Sequence, residues 1–211
     1  GYYGIRWNGG GSSSVYTTNV GNQFMNNNVY DWYYYGAYMY YQGTGLKIKK
    51  NKIIQRTTGT YTTSSGYGIY GYYLNDGPEI SYNYAASAYA PFYLPYVNYS
   101  QATTLNRGKV FNNMCVGNGT STIYALYLSY PQYTDVVYNT AFAKTTSTCY
   151  GFYWYGASTA YDNKFVNNYV SYEGDGEFYA MYNYYSTSIS QCSNNAFFRK
   201  GTGTDYYYWN G

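Results

Sequence analysis

Apolar and polar positions alternate along this chain in segments of about 4–8 residues, the length and period of strands. No stretch of about 10–12 residues carries the i, i+3, i+4, i+7 apolar spacing of a helix, and the abundant Tyr, Val, Ile and Thr favour strands. Connections rich in Gly, Ser and Thr, such as RTTGTYTTSSG and VGNGTST, separate the segments.

The segments repeat. The opening Tyr3-Gly4-Ile5-Arg6-Trp7 returns as YGAYMYY from Tyr35, YGIYGYY from Tyr67 and YGFYWYG from Tyr150. Looser copies are APFYLPY from Ala90, STIYALY from Ser121, GEFYAMY from Gly176 and DYYYWNG from Asp205. With the central hydrophobe as anchor, the series is Ile5, Ala37, Ile69, Phe92, Ile123, Phe152, Phe178 and Tyr207, a period of about 29 residues and within the range of solenoids.

A second motif, hydrophobe-x-x-Asn-x-hydrophobe, keeps the same beat. Its asparagines are Asn27, Asn51, Asn83, Asn113, Asn139, Asn168 and Asn195. Strands that follow at a fixed period without two-residue hairpins should coil, each pairing with its counterpart one turn on. A β-propeller blade of similar length ranks lower, because no Asn-Gly or Asp-Gly turn recurs in register.

These asparagine motifs, from Phe24 to Phe197, resemble the right-handed parallel β-helix repeat family. The resemblance implies an all-β, right-handed parallel β-helix of about seven turns forming a single domain over residues 1–211. It also implies that each motif Asn stands at a tight bend and stacks on its equivalents in a hydrogen-bonded ladder.

Neighbours along a strand point to opposite faces. If the anchors face inward, Tyr38, Tyr70, Tyr93, Tyr124, Tyr153, Tyr179 and Tyr208 form one outer tyrosine ladder, with Arg6 in the first turn. Such a row covers the sheet with stacked phenols. It also fits a carbohydrate-stacking platform, a subunit interface or a site of oxidative cross-linking, and the sequence does not separate these.

Composition narrows the chemistry. The chain has 39 Tyr, 24 Gly and 10% charged residues, so it carries far less charge than average and far more rings than a disordered chain. Net charge is +3, and the densest basic run, Leu46 to Arg56, alternates as a solvated strand face would, so no nucleic-acid partner is expected. There is no histidine, and Cys115, Cys149 and Cys192 lack CxxC spacing. They read as buried small hydrophobes, with no metal and no cofactor.

The resembled family includes pectin-type lyases and glycoside hydrolases, yet none of its catalytic motifs transfers to this chain. Of nine carboxylates only Glu173, Asp175 and Glu177 cluster, in a glycine-rich connection that reads as a solvated turn. The chain is not expected to be an enzyme. No run of 18 apolar residues spans a membrane.

The first and last segments are versions of one half-turn, so copies placed head to tail would continue one another as a filament; the competing reading is a stretch of a longer β-helix. The expected function is a structural subunit of an extracellular or cell-surface fibre, a homopolymer. The alternatives are a carbohydrate-binding or carbohydrate-active β-helix, or an adhesin or spike segment. Sequons at Asn98 and Asn118 offer glycosylation sites.

Overall fold

The computed structural model describes residues 1–9, 19–57, 65–99, 104–156 and 161–207. They form a parallel β-solenoid of three sheets, with a short 3-10 turn at Ser186–Ser188.

The first sheet stacks Tyr3–Asn8, Tyr35–Gln42, Tyr67–Leu74, Ala90–Pro95, Ile123–Ser129, Cys149–Tyr155, Phe178–Asn183 and Asp205–Tyr206 in chain order. The second stacks Gln23–Met25, Lys47–Lys49, Glu79–Ser81, Gly108–Phe111, Thr134–Val137, Lys164–Val166 and Gln191–Ser193. The third stacks Asn28–Trp32, Lys52–Gln55, Tyr84–Ser87, Met114–Asn118, Thr140–Lys144, Tyr169–Glu173 and Ala196–Lys200. Each strand therefore pairs with its equivalent one coil away.

The core is a set of axial rows. Ile48, Ile80, Val110, Val136 and Phe165 form one row on the second sheet, and Ile53, Ala85, Cys115, Ala141 and Val170 face them from the third; all are fully buried. Cys115 and Cys149 serve as core hydrophobes, and burial raises both thiols. Cys192 departs from expectation and is exposed: it ends the Phe165 row, and among the described residues no coil covers it.

Two features break simple alternation. In the first sheet two consecutive inward residues separate two outward tyrosines, as Gly36 and Ala37 do between Tyr35 and Tyr38. At Gly36 the first of the two has no room for a side chain, because a Cβ there would lie 2.6 Å from the Gly68 carbonyl oxygen and 2.8 Å from the Trp32 ring, although Pro91 stands at the equivalent place beside Gly68. Gly4, Gly68, Ala125, Gly151 and Ala180 occupy the same place in other coils.

The second feature is the bend before each ladder asparagine. Asn26, Lys50, Tyr82, Asn112, Tyr138, Asn167 and Asn194 all adopt the left-handed conformation there, with φ between 52° and 58°. Asparagine tolerates that region, whereas Lys and Tyr are strained in it. The asparagine ladder that follows holds the bend.

Candidate functional site

The ladder is a continuous chain of side-chain hydrogen bonds. Asn83 Nδ2 donates to Asn113 Oδ1 at 3.0 Å, and the Asn83 backbone N–H donates to the same oxygen at 3.0 Å. Asn113 repeats both bonds to Asn139 at 3.0 and 3.1 Å, and donates its second amide hydrogen to the Ile80 carbonyl at 2.8 Å. The arrangement runs through Asn27, Asn51, Asn139, Asn168 and Asn195. Asn51, Asn83, Asn113, Asn139 and Asn168 are buried, and each tightly bent corner thereby satisfies its polar groups without water.

Outside this core, the first sheet is plated with tyrosine in two principal rows. One row reads Arg6, Tyr38, Tyr70, Tyr93, Tyr127, Tyr153 and Tyr182 in register. Its six rings lie 4.3–5.2 Å apart between centroids and within 7–16° of parallel, and the Arg6 guanidinium sits 5.8 Å over the Tyr38 ring. The other row stacks Tyr3, Tyr35 and Tyr67, then Tyr124, Tyr150, Tyr179 and Tyr206, with Tyr89 bridging edge-on between the two groups.

The single ladder expected from sequence is therefore corrected. Tyr38, Tyr70, Tyr93 and Tyr153 share a row, whereas Tyr124 and Tyr179 stand in the other; Tyr208 lies outside the described residues. The cause is the pair of inward residues between outward tyrosines. In STIYALY the core position aligned with Phe152 is Leu126, not Ile123, and the signal that would have fixed this is the small residue Ala125 after Tyr124.

A further row, Tyr41, Tyr73, Tyr96 and Tyr130, turns the corner beyond the sheet. All four are left-handed, with φ of 48–58°, a strained state for a bulky residue that ring stacking at 4.5–5.3 Å offsets.

The plated phenols are held protonated. Burial first, then crowding by other phenols, pushes Tyr93 and Tyr150 up to about 12, and raises Tyr35, Tyr67, Tyr70, Tyr127 and Tyr153 as well. A phenol whose folded pKa exceeds its ordinary value of about 10 contributes stability below that pH and loses it as pH rises through the folded value. From neutral pH the solenoid is expected to hold its stability up to pH about 10 and to lose it progressively above that, as the pH rises towards the folded values. Phenolate absorbance and far-UV circular dichroism should change together; phenolate forming fully on an intact β signal would contradict this.

The second sheet bears a charge row that sequence reading missed. Lys47, Glu79, Lys109, Asp135 and Lys164 lie outward in register and alternate in sign, between Gln23 and Gln191. The residues are 26–32 apart in sequence, so only the register reveals the pattern. Lys49 pairs with Glu79 at 2.8 Å, and Arg107 bridges Asp135 and Asp162. In the basic run from Leu46, Lys49 is thus ion-paired, and the alternate residues Leu46, Ile48 and Ile53 are buried in the core.

The acidic cluster is dispersed. Glu173 pairs with Lys144 at 2.9 Å, whose hydrogen bond lowers its pKa, and Asp175 is lowered by the Thr202 backbone N–H at 2.9 Å. Among the described residues no group of three His, Cys, Asp or Glu could hold a metal ion, and no helix is long and apolar enough to cross a membrane.

Of the two sequons, Asn118 is exposed at the end of its strand. Asn98 is corrected: it is fully buried, accepts from the Gly77 N–H at 2.9 Å and donates to the Asn106 and Gln132 carbonyls, so the folded chain offers no acceptor there.

No family model, curated protein or solved structure matches this chain.

Proposed function

We propose that this chain is a structural subunit of an extracellular filament formed by head-to-tail stacking of solenoids. The observation that carries the reading is the recurrence of register: coil after coil meets the next through the same core rows and asparagine ladder, and from Tyr38 to Tyr182 through one unbroken row of stacked tyrosines. A surface that fits its own repeat coil after coil also fits a second copy. Low charge and a backbone paired along three sheets suit a durable material, and the tyrosine plating shields the broadest sheet.

Carbohydrate binding through the tyrosines is the weaker reading. A sugar stacks on an exposed ring face, and here the faces cover one another at 4.3–5.2 Å, leaving edges and hydroxyls outward.

Electron microscopy of the purified chain tests the proposal. Long unbranched fibres are expected; dispersed monomers at high concentration would contradict it.

A further inference from the structure

The outer faces of the three sheets differ. Tyrosine plates the first and alternating charge crosses the second, whereas an uncharged row runs up the middle of the third: Ile54, Ala86, Val116, Phe142 and Ser171, in register on successive coils and all half-buried. Lys52, Tyr84, Met114, Thr140 and Tyr169 flank it on one side, with Met114 43% and Tyr169 40% exposed. On the other side Asn118, Lys144, Glu173 and Lys200 lie in register, and Arg56 follows Ile54 by two residues as Glu173 follows Ser171.

The middle row is uneven. Beside Ala86 lies a 440 Å³ hollow lined by Ile54, Arg56, Tyr84, Ala86, Val116 and Asn118. Two coils on, Phe142 carries a ring where Ala86 has a methyl group. Arg56, at the rim of the hollow, is exposed and ion-pairs with no carboxylate among the described residues.

These departures mirror one another across Val116. We propose that the third sheet is a pairing surface for a second copy of this chain, laid face to face with its solenoid axis reversed about a two-fold axis that passes through Val116 along the strand direction. Such an axis sets each row on itself and reverses the order of the coils, so every contact occurs twice.

The contacts it makes are complementary. Val116 meets Val116 and Met114 meets Met114 on the axis. Phe142 of each copy enters the hollow over Ala86 of the other, large against small, and Ile54 covers Ser171. Arg56 meets Glu173, and Lys52 comes over the Tyr169 ring, a cation over an aromatic face. The seven strands of the sheet, at about 4.8 Å spacing and about 17 Å long, present roughly 600 Å² a side, at the low end of specific interfaces.

Charge excludes the neighbouring arrangements. Slipping the partner by one strand in either direction brings Arg56 against Lys144 or against Lys200, a like-charge contact made twice. A two-fold along the solenoid axis, which keeps the copies parallel, sets each coil on itself and swaps the flanking rows. Lys52 then meets Arg56, Phe142 meets Phe142, and the hollow at Ala86 faces another hollow.

Analytical ultracentrifugation of the full chain, below the concentration at which fibres form, tests the pair independently of the filament reading. A reversible dimer is expected. Arg56→Glu and Glu173→Lys should each raise its dissociation constant about tenfold at low salt, because each replaces two attractive contacts with two repulsive ones. The two substitutions together reverse the pair and should bring the constant back near its original value. Ala86→Trp fills the hollow from within and should leave monomers with an unchanged far-UV circular dichroism spectrum. A dimer indifferent to the single charge variants, not recovered by their combination, or surviving Ala86→Trp would overturn the register. Monomers of the unmodified chain at every concentration would overturn the pair and leave the face to a partner of another kind.

Discussion

Asn113→Leu is expected to lower the free energy of unfolding by about 3–6 kcal/mol, enough to unfold a chain of ordinary marginal stability. Asn113 lies mid-ladder and is 2% exposed. Its removal strands the Asn83 backbone N–H, one Asn83 amide hydrogen and the Ile80 carbonyl, each a buried group that costs about 1–3 kcal/mol unpaired. Leucine is close to asparagine in size, so the loss comes from polarity rather than volume. Asn27→Leu at the ladder's edge is the control: the Asn27 backbone N–H keeps its bond to Asn51 Oδ1 and water reaches the site, so about 1 kcal/mol is expected. Urea denaturation followed by circular dichroism measures both, and equal effects would contradict the ladder's role.

Trp154→Ala should cost about 3–5 kcal/mol through the cavity it leaves. Trp154 is 1% exposed, packs edge-on to Phe165 and donates its indole N–H to Ser188 Oγ at 2.9 Å. Its neighbour Tyr153 faces outward in the same strand, so Tyr153→Ala removes a ring of similar bulk from the surface and should cost much less. In urea the Trp154 variant should lose several times the stability lost by the Tyr153 variant; the reverse order would mean that the tyrosine plating, not the core, holds the first sheet.

The contrast between those two residues was legible in YGFYWYG, where Phe152 and Trp154 read as inward and Tyr153 and Tyr155 as outward. The asparagine ladder was legible too, because one residue type recurs at a fixed offset from two hydrophobes. The tyrosine rows were only half legible. Two outward tyrosines three residues apart offer two ways to align a looser copy, and only the register, which sets Ala125 and Ala180 beside Gly151, separates Tyr124 and Tyr179 from the Tyr153 row. Left-handed Lys50, Tyr82 and Tyr138 carry no local mark of their conformation, since neighbouring coils impose it. The alternating charges on the second sheet were invisible for the same reason: they are a property of stacking, not of any one segment.

Stacking between copies is the central claim, and the axial rise per copy in the fibre tests it most directly. Copies that continue one another strand for strand along the seven-stranded second and third sheets give seven strand spacings per copy, about 34 Å. A helical reconstruction by cryo-electron microscopy measures the rise. About 34 Å is the predicted result; fibres whose strands do not run perpendicular to the axis at the strand spacing would contradict the stacking, and a chain that forms no fibres would contradict the account as a whole.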